Sequence, residues 1–294
     1  MRRLVLAVAV AVVLTVGAGC ASSTSTTPEA TPTSAAPQRI VPLNGDIAEI
    51  VWALGLGDQV VGVDTSAVYP PEAAAKQPKI GYQRQLAAEG ILSLEPTIVV
   101  GTPEAGPPEV IEHIKQAGVT VEILPIPTTV HEVPDRIRQV AAALGVTGKG
   151  DQLADQAKRD IDEAVETAGA AAGKRVAFLY VRGQATAMIS GRTTRAATML
   201  AAAEVTDAGV EAGIEGYKPI TPEALAAAKP EVLVLLDGGL KSVGGIDGLL
   251  TLPGVAQTPA GIDRTIVTLD DSFLINLGPR TGAALKELVV KVSE

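Results

Sequence analysis

Aromatic residues are nearly missing from this chain: one Trp, four Tyr and two Phe occur in 294 residues. A core without aromatic filler must be built from Ala, Val, Leu and Ile, and each Tyr becomes informative. Cysteine occurs once, as Cys20, which excludes a disulfide scaffold; with only His113 and His131 besides, an all-Cys/His zinc site is excluded too. Basic charge is short. The 24 Lys and Arg against 33 Asp and Glu give a formal net charge of −9, or −11 once Arg2 and Arg3 of the leader are set aside. Nucleic acid is therefore not an expected partner, because it demands a basic surface. Missing as well are a nucleophile elbow, a phosphate loop, a dinucleotide fingerprint after a strand and a spaced metal-binding cluster. His113 reads as a helix-surface residue and His131 as part of a polar helix lead-in. The chain does not read as an enzyme, and a secreted hydrolase is the weak rival from that class.

What is present describes an ordinary globular chain, 47% apolar and 19% charged, long enough for two domains. It begins with a positive Met1-Arg2-Arg3 and an apolar run of 13 residues, Leu4–Val16, too short to span a bilayer and of secretory type. Small residues then lead into Cys20. The stretch resembles a bacterial lipoprotein signal over 1–19, which implies a diacylglycerol on Cys20 and attachment to the outer face of the cell membrane. Residues 20–37 are rich in Ser, Thr and Pro with no apolar face, a tether that cannot pack.

From Arg39 onward, short apolar strands alternate with helices, the pattern of a mostly parallel sheet covered on both faces. Strands are expected at 40–43, 60–63, 98–100 and 119–124, and helices at 47–54, 109–117 and 133–144. Residues 147–172 are strongly helical and charged, with a thin apolar stripe at Leu153, Ala157, Ile161 and Val165, as suits a strut between domains. A new strand at 176–181 restarts the α/β pattern. The organisation expected is an N-terminal α/β lobe over 38–146, a linking helix over 147–173 and a C-terminal α/β lobe over 174–294. Internal repetition supports two similar lobes. Gly81-Tyr82, Glu89, Pro96 and the strand at 98–100 recur in order as Gly216-Tyr217, Glu223, Pro230 and a strand at 232–236. In the second copy Thr221 is an N-cap candidate, Pro222 sits at the first helical position, and Glu223 lies in the first turn, where a carboxylate suits the helix dipole.

Tyr82 and Tyr180 each carry an arginine two residues on, Arg84 and Arg182. A nearby cation favours the phenolate, and phenolate oxygen is a haem-iron ligand type. Tyr180 and Arg182 lie where a strand runs out, the end at which α/β folds bind ligands, and their spacing puts both on one face. On spacing alone, a core Tyr beside a surface Arg remains the commoner arrangement.

Several segments resemble the haemin-binding solute receptors of bacterial ABC importers, within the class that also captures cobalamin and ferric siderophores. They are Tyr69–Ala73, Gly81–Leu86 with Ala88–Gly90, and Gly106–Pro108. In the second half they are Gly216–Pro219, Leu252–Val255 with Thr258–Gly261, and Gly278–Thr281. They cover nearly the whole chain after the leader. The resemblance implies an α/β fold of two Rossmann-like lobes joined by a single long, rigid helix, with haem gripped between them as the transported ligand. It implies Tyr82 as a ligand to the haem iron, with Tyr180 contributing from the opposite lobe either as a second ligand or as a hydrogen-bonded wall residue. Arg84, Arg182, Arg192, Arg195 and Lys218 become candidate partners for the propionates, with Tyr217 completing the site. It matches Glu89 and Glu223 to carboxylates that dock on the two subunits of a permease dimer driven by an ATPase. A ferric-siderophore or cobalamin receptor of the same class is the alternative.

Overall fold

Short apolar runs build two separate sheets, and several of the candidate site residues lie near the ends of their strands. The computed structural model describes residues 38–294; the leader, Cys20 and the tether lie outside the described residues. The first sheet is three parallel strands, β1 (Ile40–Pro42), β2 (Ile98–Gly101) and β3 (Thr120–Ile123), in the order β1-β2-β3. Alternation along these strands feeds two cores. Ile40, Ile98 and Val100 face a central core, while Val41 and Val99 face an outer one.

The second sheet runs β7 (Tyr217–Pro219), β5 (Thr186–Ser190), β4 (Arg175–Arg182), β8 (Val232–Leu236) and β9 (Ile266–Leu269), with β6 (Thr206–Asp207) beside the start of β4. Most strand pairs are parallel, as expected, with one correction to the pattern: β5 runs antiparallel to β4, and β7 antiparallel to β5. The cause is local. Only residues 183–185 join β4 to β5, with Gly183 at φ 62°, and so short a connection permits a hairpin but no parallel crossover.

A second correction concerns residues 60–63, expected as a strand. Val60 makes a single bridge to Ile40, and the backbone bonding then changes partner, with Val63 N–H donating to Pro78 and Ile80 N–H donating to Val63. The segment crosses between two partners instead of extending beside one.

The linking helix runs Thr147–Glu166 and continues in a 3₁₀ turn, Ala168–Ala171. Its buried stripe is Gly150, Ala154, Ala157, Ile161 and Ala164, displaced from the expected Leu153 and Val165, which stay half-buried. Small side chains win the contact because neighbouring helices come close. A Cβ on Gly150 would stand 2.2 Å from Ala141, and one on Gly282 would stand 2.4 Å from the Asp160 backbone. The helix Val133–Ala143 thus presses on one end of the linking helix, and the C-terminal helix Thr281–Ser293 presses further along it. The central core runs unbroken from Ile40 and Ile47 through Ala157 and Ile161 to Phe178 and Leu285.

The repeated units share their endings. The helices Ala88–Leu92 and Pro222–Ala228 are followed by a left-handed non-glycine residue directly before proline, Glu95 (φ 48°) before Pro96 and Lys229 (φ 44°) before Pro230. Proline disfavours the right-handed helical conformation in the residue before it, so neither helix can run on through it, and the chain turns into β2 and β8. The Thr221 hydroxyl accepts from Ala224 N–H at 3.1 Å, the cap its position predicts.

Candidate functional site

The carboxyl ends of the parallel strands in both sheets carry the polar residues. After β1 come Asn44 and Asp46; after β2, Thr102 and Glu104; at the end of β4, Tyr180 and Arg182; after β9, Asp271 and Phe273. Tyr82 stands on the turn segment before the helix Ala88–Leu92 and is 44% exposed, unusual for a large side chain in this chain. The turn beneath it is fixed. Asn44 Nδ2 donates to Thr102 Oγ1 at 2.9 Å and to Gln83 Oε1, and all three residues are buried.

Three residues converge on one face of the second sheet. The β4 spacing puts Tyr180 and Arg182 on the same side, as expected, and the Arg182 guanidinium lies 4.8 Å from the Tyr180 ring centroid. Pairing of Ser190 with Tyr217 and of Met188 with Tyr180 brings the two tyrosine rings to 6.0 Å, tilted by 58°. Burial pushes the Tyr217 phenol up to about 12, with Arg195 opposing it, so it stays protonated at neutral pH. Lys218, the next residue of β7, pairs with Ile189 and projects from the other face, away from the tyrosines. Arg192 is exposed and bonded to Glu215 at 3.0 Å.

Arg84 and Arg182 are each met by an acid that follows a strand, β2 for Glu104 and β9 for Asp271. Arg182 Nη2 donates to Asp271 Oδ2 at 2.9 Å, and Asp271 also accepts from Gly238 N–H at 2.8 Å. A Cβ at 238 would stand 2.4 Å from that carboxylate and push it aside. Arg84 is paired with Glu104.

Arg195, from the second lobe, reaches into the first. Its Nη2 stands 2.9 Å from Glu104 and 3.7 Å from Asp46, which Arg136 holds at 2.8 Å. Burial opposes the Arg195 charge, but the two carboxylates outweigh it and raise its pKa. Glu104 thus stands between Arg84, two residues after Tyr82, and Arg195 of the second lobe, so charged residues of both lobes meet in one cluster.

A second cross-lobe tie was not visible to sequence reasoning. Arg280 donates to Glu49 through Nε at 3.0 Å and Nη2 at 2.8 Å, and its guanidinium stacks 3.4 Å from the Tyr69 ring centroid and 5.1 Å from that of Phe273. The available signal was Asp46 and Glu49, one turn apart on the helix Gly45–Ala53, otherwise made of apolar and small residues. Buried acids on such a face require cationic partners. Asp64 lies beneath this helix, fully buried, and accepts from the Ser66 hydroxyl at 2.8 Å and Ser66 N–H at 3.1 Å. Burial pushes its carboxyl up to about 6 despite those bonds, with the Asp46 charge adding to the rise. A carboxyl raised in the folded state costs stability above that pKa and ceases to do so below its ordinary 3.8. Asp64→Asn is therefore expected to stabilise the fold at pH 7 by about 1–2 kcal/mol, less at pH 4, as read from urea denaturation.

Comparison with known proteins gives three findings. The Periplasmic binding protein family matches residues 40–273. The structure of the periplasmic heme-binding protein RhuT from Roseiflexus sp. RS-1 superposes with a TM-score of 0.84 at 49% identity, covering 88% of this chain and 98% of that one. Among curated relatives, the uncharacterized ABC transporter substrate-binding lipoprotein YvrC of Bacillus subtilis is 29% identical over 87% of this chain and 80% of its own length. A vitamin B12-binding protein of Vibrio parahaemolyticus is 27% identical over 42% of this chain and 44% of its own.

Proposed function

Because the chain belongs to the periplasmic binding protein family, we propose that it is the haemin receptor of a bacterial ABC importer, taking haemin between its lobes and handing it to a permease dimer with its ATPase. In this reading the leader is removed, Cys20 carries a diacylglycerol, and the Ser/Thr/Pro tether holds the lobes at the outer face of the membrane. Two acyl chains give anchoring that a single chain does not.

One observation carries the reading: an exposed tyrosine, Tyr82, stands two residues from Arg84, whose partner Glu104 also meets Arg195 of the lobe that holds the stacked Tyr180–Tyr217 pair, in a chain with only four tyrosines. A siderophore arrives with its iron already saturated and needs no such oxygen ligand. The similarity to the heme-binding RhuT spans nearly all of that protein, whereas the similarity to the vitamin B12-binding protein spans less than half of it, which favours haem over cobalamin.

Tyr82 and Tyr180 are the proposed iron ligands. Tyr217, held protonated, serves as a neutral hydrogen-bonding wall. Arg84, Arg182 and Arg195 serve the propionates, while Arg192 and Lys218, turned elsewhere, contribute less. An anionic oxygen ligand selects ferric over ferrous iron, which suits capture outside the cell. Glu89 and Glu223 are the permease-docking carboxylates.

Titration with haemin tests this directly, with a Soret band expected at one or two equivalents. Tyr82→Phe and Tyr180→Phe keep the ring and remove only the oxygen. Tyr82→Phe should shift the Soret peak and lose the phenolate-to-iron charge-transfer band. An unchanged spectrum in both single variants and in the double variant would refute tyrosine ligation.

A further inference from the structure

We propose that Glu104 is a built-in counter-anion that competes with the carboxylates of the ligand for Arg84 and Arg195, and thereby sets how tightly the protein holds an acidic porphyrin; this rests on the haemin reading above. Glu104 follows β2 and joins guanidiniums from both lobes, pairing with Arg84 of the first and standing 2.9 Å from Arg195 of the second. Among the described residues, it is the only acid that pairs with Arg84.

The two contacts across the lobes are made differently. Arg280 and Glu49 meet through two aligned hydrogen bonds, on a carboxylate that is 3% exposed. That is a structural tie. The Arg195–Glu104 contact is close but misaligned: Arg195 Nε and Nη2 and Glu104 Oε2 are buried with no hydrogen-bond partner. A guanidinium so placed has its charge opposed but its directional donors unused, and those donors suit a planar carboxylate. Glu104 also has somewhere to go, since its side chain is 24% exposed on a turn segment at the site's edge.

Exchange is then balanced in charge. When a ligand carboxylate takes Arg84 and Arg195, Glu104 turns to water, and Asp46, 3.7 Å from Arg195, keeps that buried cation from losing every protein partner. The ligand gains only the difference between its contacts and those Glu104 already makes. Affinity is thereby held down and release eased.

Glu104→Gln, which keeps the shape and removes the charge, is therefore expected to bind haemin about tenfold more tightly in a Soret titration, the worth of roughly one charge-assisted hydrogen bond. Haemin dimethyl ester, whose propionates are neutral, measured in the same detergent buffer, should bind both proteins within about twofold. Glu104→Asp keeps the charge but shortens the arm, so it cannot reach both guanidiniums; it should tighten haemin binding by a smaller factor. Circular dichroism and the thermal midpoint establish that each variant is folded. Haemin affinity unchanged or weakened in both variants overturns the proposal, as does equal tightening toward haemin and its ester. Wild-type affinity in Glu104→Asp beside a gain in Glu104→Gln also overturns it, since long-range charge would then be the cause. Failure of the wild-type protein to bind haemin at all refutes the receptor reading, and this proposal falls with it. Haemin binding by the wild type without a selective gain in the variants refutes this proposal alone.

Discussion

Charge reversal at both Glu89 and Glu223 is expected to abolish haemin uptake by cells while leaving haemin capture by the isolated protein within about twofold of wild type. Both carboxylates are exposed, and each is the second residue of a short helix, Ala88–Leu92 in one lobe and Pro222–Ala228 in the other. Neither forms an ion pair or a side-chain hydrogen bond among the described residues. Their only local contribution is to their own helix dipoles, about 0.3–1 kcal/mol each. Two lysines there would cost little stability, so a lost uptake phenotype would not come from unfolding. A matched pair of carboxylates on a pseudo-symmetric receptor suits a symmetric permease dimer, and charges of this kind govern the rate and specificity of encounter. Each single reversal should reduce uptake and the pair should remove it. Normal transport by the double variant would reduce the carboxylates to dipole partners.

The fold was legible wherever periodicity was strong. The helix at 47–54 appears as Gly45–Ala53, the strand at 232–236 as Val232–Leu236, and the helix at 147 starts at Thr147. Apolar runs fix burial before any long-range contact is known. The errors lie where the partner decides. Residues 60–63 have the composition of a strand, but two different neighbours claim them in succession. The antiparallel β5 follows from a three-residue connection that turns at Gly183. In the linking helix Ala157 and Ile161 lie on the seam as expected, while Gly150, Ala154 and Ala164 take the places expected of Leu153 and Val165, because small residues let helices approach.

The site divides the same way. Tyr180 and Arg182 share a face because strand geometry is local, and Tyr82 stands out because aromatics are scarce. The acids that meet the arginines were invisible. Glu104 lies 20 residues from Arg84, and Asp271 lies 89 from Arg182, and nothing in either local sequence marks the pairing. Arg195 is a candidate propionate partner by resemblance alone, and the structure adds that it is a buried link between lobes. Charge pairing across a chain is a tertiary property, and composition supplies only the supply of partners.

The largest stability loss is expected at Arg136. Its side chain and that of Asp46 are each 1% exposed, and they meet at 2.8 Å. Burial works against the Asp46 carboxylate, but Arg136 and then Arg195 outweigh it and hold it below the ordinary range. Arg136 also donates to the Pro125 carbonyl, tying the helix Val133–Ala143 to the loop after β3. Arg136→Met preserves much of the volume and leaves the buried carboxylate with Arg195 alone, 3.7 Å away. Removing one member of a buried pair typically costs about 3–5 kcal/mol, a large share of the stability of an ordinary domain. Asp46→Asn should cost a similar amount, because it leaves two buried guanidiniums facing a neutral amide. Replacing both as Arg136→Met with Asp46→Leu should recover part of the loss, since no unpaired carboxylate then remains. The pH dependence follows from the direction of the shift. A carboxyl lowered in the folded state contributes stability that is fully present above its ordinary 3.8 and is lost as pH falls through the folded value. In wild type that loss lies below the ordinary carboxylate range. In Arg136→Met it should begin nearer the ordinary carboxylate range, because burial then faces less opposition. Urea denaturation at pH 7 and at pH 4 reads both effects, and a loss below about 1 kcal/mol at pH 7 would show that the pair merely offsets its own desolvation.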